Sequence, residues 1–410
     1  MKDKLMTEKN HLQEILVDEL DYSQNLTDKE ILLLIEQAIL ERGKQSFLSV
    51  EEKQQLKTEL FNSFRRLDLL SGLLEDEDVS EIMINGSNDV FVEKKGRIIK
   101  IQEHFSNEEK LHNVIQQIVG SCNRIVNESV PIVDARLEDG SRVNVVLPPI
   151  SLDGIAMTIR KFPKDFFTME KLVEINSLTQ EVADFLKLLV RAKYNLFISG
   201  GTGSGKTTML NVLGNYIPAE ERVITIEDSA ELQLRGIPNL VRLETRNANV
   251  EGENAISMSQ LIKTALRMRP SRIIIGEVRD AAAMDMANSM LTGHDGSIST
   301  GHGNSAREML LRLETMILMG YDMPVLAIRQ QLAAAIDVII HVGRLRDNSR
   351  RVLEICEVDG VKDGEIITHS LFQFKEYSEE DGKVLGQIEK TGELKSVRKL
   401  LQSGWRGESG

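Results

Sequence analysis

The 410-residue sequence has little cysteine, no long apolar run and no excess of positive charge. Its two cysteines, Cys122 and Cys356, lie far apart and form no metal-binding pattern, and such sparse cysteine is typical of a reducing compartment. No stretch approaches the roughly 20 apolar residues that are needed to cross a bilayer. The formal net charge of −13 disfavours nucleic acid as the main partner, because that affinity depends on neutralising phosphates.

The first residues, Met1-Lys2-Asp3-Lys4, lead into an acidic, polar stretch that is not typical of a secretory signal peptide. We therefore expect a cytoplasmic protein that reaches a membrane only through a partner. Hydrophobic residues make up 41% of the sequence and charged residues 28%, as in ordinary globular proteins. The length is sufficient for two or three domains.

The pattern of the sequence changes near residue 68. Residues 1–67 are polar and acidic with helical periodicity, and a capping box at residues 49–52 precedes one of the expected helices. Residues 68–164 contain short alternating segments separated by glycine and proline turns, with one helical segment among them. We predict a helical extension followed by a small α+β domain.

A second change follows near residue 165. Residues 165–176 are predicted as a linker, and a capping box at residues 177–180 is predicted to begin the next helix. Apolar strands then alternate with helices as far as residue 402, and such apolar runs suit a sheet that is covered on both faces. We predict a three-layer α/β domain over residues 177–402 and a disordered tail at residues 403–410.

The most specific motif is GGTGSGKTT at residues 200–208, which fits the pattern G-x-x-x-x-G-K-[ST]. An apolar strand precedes it and a helical segment follows, whereas a plain glycine turn is the alternative. Glycines let backbone N–H groups converge on a polyphosphate, and the helix N-terminus adds a positive dipole end. We predict that Lys206 reaches the β- and γ-phosphates of ATP and that the Thr207 hydroxyl binds Mg²⁺. The predicted nucleotide-binding residues are Gly201, Thr202, Gly203, Ser204, Gly205, Lys206, Thr207 and Thr208.

Acidic residues follow two further apolar strands. Glu227 and Glu231 come at and after the end of one strand, where they could position or deprotonate an attacking water. Glu277 follows a strand with the character of a Walker B segment, and could hold Mg²⁺ through water or polarise the nucleophile. The alternative is that both acidic segments are solvated turns.

Two of the seven histidines, His294 and His302, lie in a glycine-rich segment at residues 292–304. Either ring could hydrogen-bond a γ-phosphate or a catalytic acid and so sense hydrolysis. A structural pair is the alternative, and no neighbouring acid–histidine spacing supports a metal site.

Arginines in the α+β domain form another candidate group. Arg142 and Arg160 lie in predicted strands near the linker. Such residues usually form a solvated or paired face, but they could also supply charge to a nucleotide held elsewhere in the chain or by a neighbour.

Four boxes in order resemble the secretion ATPase superfamily, which includes type II secretion and type IV pilus motors and type IV secretion ATPases. These boxes are GGTGSGKTT, ITIEDSAEL, IIIGEVRD and TGHDGSISTGHGNS, and the likeness extends over about residues 69–374. Within the superfamily, SEIMINGSNDVFVEKKGRI and LRMRPSRIIIGEVRD are most similar to the CpaF/TadA-type ATPases of tight-adherence (Flp) pilus assembly. The tetracysteine zinc module of many type II secretion ATPases is absent from this sequence.

The resemblance implies a RecA-like phosphate-loop ATPase domain, preceded by a PAS-like α+β domain, in a hexameric ring with ATP between the two domains. It also implies catalytic roles: phosphate and Mg²⁺ binding, water activation in the Asp box, the Walker B carboxylate, the His-box pair, and arginines that complete the site. Lys206 and Thr207 match the residues that bind phosphate and Mg²⁺, Glu231 matches the water-activating residue, and Glu277 matches the Walker B carboxylate. His294 and His302 match the His-box pair, and Arg142 and Arg160 match the arginines that complete the site.

These observations predict a cytoplasmic, Mg²⁺-dependent ATPase motor at the inner face of the membrane. The resemblance implies that it acts on an inner-membrane platform protein, and through it on pilin, with no nucleic acid as partner. A pilus-retraction ATPase, or a type IV secretion or DNA-uptake ATPase, on the same scaffold is the alternative. A nucleotide-switched binding module is less favoured, because Glu231 and Glu277 are both present.

Overall fold

A computed structural model describes residues 12, 15, 16, 28–45, 48–65, 69–122, 124–137, 139–162, 167–246 and 253–404. The chain divides into two compact units, Met1–Lys164 and Asp165–Gly410. Of the predicted tail at residues 403–410, all but the first two residues lie outside the described part of the chain.

The N-terminal unit contains helices followed by a mixed α+β arrangement. Its elements are α1 (Asp28–Gln45), α2 (Val50–Arg65), α3 (Leu69–Glu75), β1 (Val79–Asn85), β2 (Asp89–Lys94), β3 (Arg97–Lys100), α4 (Glu108–Ser121), β4 (Ile132–Arg136), β5 (Arg142–Val146) and β6 (Ala156–Arg160).

Helices α1 and α2 pack through a small apolar cluster that includes Ile35, Leu56 and Leu60. The predicted capping box is present at the start of α2. The backbone N–H of Glu52 donates to the Ser49 hydroxyl at 3.1 Å, and the Glu52 carboxylate accepts from the Ser49 N–H at 2.8 Å. This exchange satisfies two backbone donors that the helix start would otherwise leave unpaired.

The sheet of the N-terminal unit is antiparallel, in the order β3-β2-β1-β6-β5-β4. Helix α4 begins at an Asn107 cap and buries Leu111, Ile115 and Ile118 in the same apolar cluster as the strands. Because only alternate strand residues join this core, the opposite face of the sheet keeps polar and charged side chains.

The C-terminal unit alternates strands and helices and then continues into long strands and a short last helix. Its elements are α5 (Met169–Glu174), α6 (Gln180–Arg191), β7 (Leu196–Gly200), α7 (Lys206–Gly214), β8 (Val223–Glu227), β9 (Leu240–Glu244), α8 (Met258–Ala265), β10 (Arg272–Ile275), α9 (Ala282–Leu291), β11 (Ile298–His302), α10 (Ala306–Leu318), α11 (Val325–Ala335), β12 (Val338–Arg344), β13 (Arg350–Lys362), β14 (Glu365–Glu380), β15 (Lys383–Lys390) and α12 (Arg398–Gln402).

These strands form one sheet in the order β15-β14-β13-β12-β7-β11-β10-β8-β9. The run from β12 to β9 is parallel, and β13, β14 and β15 extend it as antiparallel strands. Adjacent residues of β7 enter different cores: Ile198 packs with α6 and α7, whereas Phe197 packs with α9 and α10. Helices therefore cover both faces of the sheet, as predicted from the apolar strands.

Two local features differ from expectation. The segment predicted as a linker contains α5, whose Met169 and Leu172 are buried in the core of the C-terminal unit. The capping box predicted at residues 177–180 is wrong, because Thr179 is the cap of α6 and accepts from the Val182 N–H at 3.4 Å. No helix in the described ranges is long and apolar enough to cross a membrane.

Candidate functional site

The carboxyl ends of four parallel strands meet at one edge of the C-terminal sheet. The phosphate loop follows β7, Glu227 ends β8, Glu277 follows β10, and His302 ends β11. Strand β11 pairs with both β7 and β10, so His302 lies opposite Gly200 in register. The structure thus brings together four groups that the sequence spreads over about a hundred residues.

The phosphate loop adopts backbone conformations that glycine permits. Gly203 and Gly205 have φ values of 69° and 98°, which L side chains rarely adopt. At Gly200, an added Cβ would lie 2.3 Å from the carbonyl oxygen of Val342, so no side chain fits there. Helix α7 starts immediately after the loop with Gly205 as its cap, which offers no side chain to the first backbone N–H groups. These N–H groups and the helix dipole suit an anion.

The ammonium of Lys206 is buried at the mouth of this loop. Its Nζ donates to the carbonyl oxygens of Gly201 at 2.9 Å and Gly200 at 3.1 Å, and lies 3.3 Å from Nδ1 of His302. Burial lowers the pKa of Lys206, while the charges of nearby carboxylates, Glu277 foremost, oppose that shift. The backbone carbonyl groups of the phosphate loop therefore hold the Lys206 side chain in place.

His302 connects this lysine to the Walker B glutamate. Because lysine can only donate, Nδ1 of His302 accepts and the proton of the neutral ring is at Nε2. Nε2 lies 2.9 Å from Glu277 Oε1, a close polar contact that is not aligned as a hydrogen bond. The other oxygen of Glu277 accepts from Arg279 Nη2 at 2.8 Å. Burial, followed by the charge of Lys206, lowers the pKa of His302 and favours the neutral ring.

Glu227 is buried, and only one of its two carboxylate oxygens accepts hydrogen bonds from described residues. Its Oε1 accepts from the backbone N–H groups of Glu231 at 2.7 Å and Leu232 at 2.8 Å. Its Oε2 is buried with no hydrogen-bond partner among the described residues. Burial raises the pKa of Glu227 to about 7, against the effect of these two hydrogen bonds. Glu227 therefore orients the loop that carries Glu231, a role that its position at a strand end did not predict.

A cavity of about 260 Å³ adjoins the phosphate loop. Ser204 and Thr208 border it on the loop side, and Phe167, Leu172 and Ile175 form an apolar wall. Small-molecule sites commonly combine an apolar wall with a few polar groups. The cavity therefore offers space for an apolar or aromatic group attached to whatever the loop holds.

Sequence reasoning missed two residues next to the loop. His341 on β12 is buried, and its Nδ1 lies 3.3 Å from the Ser199 hydroxyl on β7. A histidine within an apolar strand was an available signal. Arg350, at the start of β13, donates to the carbonyl oxygen of Gly203 at 2.8 Å across 147 residues of sequence. No local pattern predicts such a contact.

Three predicted residues lie apart from this edge or in the other unit. His294 precedes β11 and lies at the opposite edge of the sheet, with Nδ1 3.3 Å from the Thr292 hydroxyl. A five-residue strand spans roughly 16 Å, so within one chain His294 lies far from the phosphate loop, and its role in sensing hydrolysis stays a prediction. Arg142 and Arg160 belong to the N-terminal unit, where they pair in register across β5 and β6. Arg160 also lies 3.8 Å from Glu81.

The residues at the carboxyl edge fit a nucleotide and a magnesium ion. The positive-φ glycines and the helix start suit phosphate oxygens, whereas the buried oxygens Glu227 Oε2 and Glu277 Oε1 lack directed hydrogen bonds among the described residues. Thr207, the second residue of α7, offers a hydroxyl oxygen beside Lys206. Hydroxyl and carboxylate oxygens are the ligands that Mg²⁺ prefers.

Comparisons with known proteins identify relatives of this chain. Residues 67–382 match the family model T2SSE, described as type II/IV secretion system protein. The conjugal transfer protein TrbB of Rhizobium radiobacter is 30% identical over 315 residues, which cover 76% of this chain and 93% of TrbB. The type IV secretion system protein PtlH of Bordetella pertussis (strain Tohama I) is 30% identical over 321 residues, which cover 72% of this chain and 95% of PtlH.

A solved structure, the pilus retraction motor PilT with bound ADP, shares the fold. It has a TM-score of 0.52 and 19% identity, with 82% of this chain and 89% of that chain covered. The likeness confirms the predicted fold class, a phosphate-loop ATPase domain preceded by a smaller α+β domain. Because the family model covers more than half of the chain, the protein belongs to the type II/IV secretion system protein family of ATPases.

Proposed function

We propose that this protein is an Mg²⁺-dependent ATPase motor that powers assembly of a tight-adherence (Flp) type pilus. The observation that carries the ATPase assignment is the continuous contact from Lys206 through His302 to Glu277. It joins the cation expected on the β- and γ-phosphates to a carboxylate expected at the metal and the water. We therefore expect a change in what Lys206 binds to alter the position of the Glu277 carboxylate.

In this proposal, the loop and helix α7 hold the nucleotide. The backbone N–H groups of the loop and the ammonium of Lys206 bind the phosphates, while the apolar wall of the cavity accommodates the base. Thr207 and Glu277 hold the magnesium ion, which neutralises phosphate charge when it is bound. The residues assigned to nucleotide binding are Gly201, Thr202, Gly203, Ser204, Gly205, Lys206, Thr207 and Thr208.

Hydrolysis requires a base for the attacking water. The water oxygen bonds to the γ-phosphorus, the bond from that phosphorus to the bridging oxygen of ADP breaks, and the water proton passes to a carboxylate. We assign that carboxylate to Glu231, as the resemblance implies. Glu227 Oε1 accepts from the Glu231 backbone N–H at 2.7 Å and so fixes the loop that carries this residue. Arg142 and Arg160 are assigned a charge-supplying role on the strength of the resemblance alone.

The ATPase assignment is tested by phosphate release from the purified protein with ATP and Mg²⁺. We expect Lys206→Ala and Glu277→Gln to reduce turnover by about 100-fold or more, because each removes a group that acts on the transferring phosphate. Arg346→Gln, on an exposed turn where the guanidinium pairs with Glu376 and Glu379, serves as the matched control. Full activity in Lys206→Ala would exclude this site.

The motor assignment requires assembly and a membrane partner. We propose a homohexameric ring, as the resemblance implies, that drives an inner-membrane platform protein from its cytoplasmic side. Light scattering during size-exclusion chromatography, with and without a nonhydrolysable ATP analogue, tests the ring. A monomer under both conditions contradicts it.

Secretion is the second candidate function, favoured by the names of the relatives. TrbB is a conjugal transfer protein and PtlH is a type IV secretion system protein. Pilus assembly is proposed first on the strength of the resemblance of this sequence to the CpaF/TadA type. Deletion of the gene distinguishes pilus assembly from secretion. Loss of surface pili supports pilus assembly, and loss of protein or DNA export with pili intact supports secretion.

A further inference from the structure

A guanidinium from outside the parallel strands contacts the phosphate loop. Arg350 is the first residue of β13, and its Nε donates to the carbonyl oxygen of Gly203 at 2.8 Å. Its Cδ lies 3.6 Å from the position that a Cβ would take on Gly205. Arg350 also lines the 260 Å³ cavity. It therefore contacts the loop at Gly203 and lies beside Gly205, and both of these glycines have a positive φ.

The turn that presents Arg350 is fixed from two sides. Asp347 accepts from the backbone N–H and the hydroxyl of Ser349 at 2.9 and 2.6 Å, and from the backbone N–H of Val384 on β15 at 2.9 Å. The carbonyl oxygen of Arg350 accepts from the Ser177 hydroxyl at 2.5 Å. Because the backbone is already ordered, the arginine loses less conformational freedom when it contacts the loop.

Two simpler roles for Arg350, a surface salt bridge and the attachment of α5 to the sheet, do not account for its contacts. Within the part of the chain that is described, no carboxylate lies within ion-pair distance of Arg350, so it is not one half of a surface salt bridge. Its neighbour Arg351 donates to the carbonyl oxygens of Ile175 and Asn176 and so fastens α5 to the sheet. Arg350 instead donates from its Nε to the phosphate loop.

The hydrogen bond fixes the direction of a peptide group that belongs to the phosphate loop. In a trans peptide the C=O and N–H groups point in opposite directions. A donor on the Gly203 carbonyl oxygen therefore also sets the direction of the Ser204 N–H, which otherwise makes only a long 3.4 Å contact with Gly201. A glycine-rich loop has many alternative conformations, so an external anchor restricts it effectively.

We propose that Arg350 is a positioning residue of the nucleotide site, whose Nε holds the Gly203–Ser204 peptide in the orientation that receives a polyphosphate. The inference rests on the proposed ATP-binding function. It assigns a task to the antiparallel extension of the sheet, because β13 delivers the anchor and β15 fixes the turn that carries it.

Three substitutions separate the hydrogen bond from the charge. The Nε2 of glutamine stands the same number of bonds from Cα as the Nε of arginine, so Arg350→Gln keeps a donor for Gly203 and loses the charge. Arg350→Lys keeps the charge at about the same distance from Cα but moves the donor one atom beyond the place of Nε, and Arg350→Ala keeps neither. The measurement is the Kd for N-methylanthraniloyl-ATP with Mg²⁺, followed by KM and kcat for ATP hydrolysis.

We expect Arg350→Ala to weaken binding about tenfold, close to the lower end of the usual range for a hydrogen bond from a charged donor. Arg350→Gln is expected to bind within about twofold of the unsubstituted protein, and KM is expected to rise in Arg350→Ala while kcat changes little. Arg346→Gln is the matched control on the same turn, and its binding should not change. Thermal melting confirms that each variant is folded.

The outcomes are distinct. If Arg350→Gln binds as weakly as Arg350→Ala while Arg350→Lys binds normally, charge is what acts and the positioning role is overturned. Unchanged binding in Arg350→Ala, or an equal loss in Arg346→Gln, also overturns it. If the unsubstituted protein binds the nucleotide no better than Lys206→Ala, the proposed function itself fails, and this inference fails with it.

Discussion

The two edges of the parallel sheet in the C-terminal unit hold buried charge in opposite ways. At the amino edge, Arg272 is fully buried at the start of β10, and its Nε and Nη2 donate to the two oxygens of Glu221 at 2.7 and 2.8 Å. Its Nη1 donates to the carbonyl oxygen of Val190 at 2.7 Å. Burial alone would raise the pKa of Glu221, but the hydrogen bonds and charge of Arg272 lower it.

At the carboxyl edge, the corresponding acids are not satisfied in this way. One oxygen of Glu227 and one of Glu277 are buried without an aligned hydrogen bond from any described residue. Leaving a buried polar atom unpaired costs about 1–3 kcal/mol, and natural sequences retain such atoms mainly at functional sites. The contrast indicates that the charged pair at the amino edge stabilises the sheet, whereas the carboxyl edge keeps carboxylate oxygens that can bind a ligand.

The strongest way to break this comparison is to remove one partner at the amino edge. We expect Glu221→Ala to lower the free energy of unfolding by about 3–5 kcal/mol, because it leaves the buried Arg272 guanidinium without its carboxylate. Urea unfolding measures this change. At the carboxyl edge, Lys206→Ala should alter the free energy of unfolding by less than about 1 kcal/mol, although it removes nucleotide binding.

The double variant Glu221→Leu, Arg272→Met tests the cause. Replacing a buried ion pair with apolar groups of similar size is often close to neutral, so most of the stability should return. A Glu221→Ala protein as stable as the original would mean that the amino-edge pair contributes no more than a surface ion pair.

The second prediction concerns the pH dependence of stability at the carboxyl edge. Burial raises the pKa of Glu227 from 4.5 to about 7, so between these values the folded protein holds a proton that the unfolded chain has released. Stability therefore falls as pH rises from about 4.5 to about 7 and is level above that. The total change is at most about 3.5 kcal/mol, since each pH unit corresponds to about 1.4 kcal/mol.

Glu227→Gln is the matched variant for this slope. Its carbonyl oxygen can still accept from the Glu231 and Leu232 N–H groups, but it does not titrate. Urea unfolding at several pH values should show that the component of the slope between pH 4.5 and 7 disappears in the variant. An identical slope in both proteins would mean that Glu227 titrates normally and that the carboxyl edge is better solvated than the structure indicates.

The sequence was sufficient to predict the parts of the site that follow apolar strands. The phosphate loop, Glu227, Glu277 and His302 all come at or just after strand ends, and parallel strands end at a common edge. Their contacts were not predictable in detail. Nothing local indicates that Glu227 is engaged by the backbone of Glu231, because that depends on how one loop folds back on a strand end.

The remaining differences arise from contacts that are distant in sequence. Arg350 reaches Gly203 only because β13 is added to the sheet as an antiparallel strand. Ser177 was predicted to cap a helix, but its hydroxyl donates to the Arg350 carbonyl oxygen, and Thr179 takes the cap. In both cases tertiary contacts override a sound local pattern, and the local sequence carries no signal of those contacts.

The smallest predicted effect sharpens the comparison most directly, because it uses two histidines from one motif. His302 lies at the carboxyl edge and His294 at the amino edge. We expect His302→Ala to reduce ATP turnover roughly tenfold, since it breaks the contact between Lys206 and Glu277. His294→Ala should remain within about twofold, because a whole strand separates it from the phosphate loop.

Steady-state turnover of the two variants, measured side by side at low and high protein concentration, decides the matter. Equal losses at every concentration would mean that His294 acts on the site of its own chain, and the division between the two edges would fail. A loss in His294→Ala that appears only at high concentration would mean that His294 acts on a neighbouring chain. The amino edge would then be structural within one subunit and functional between subunits.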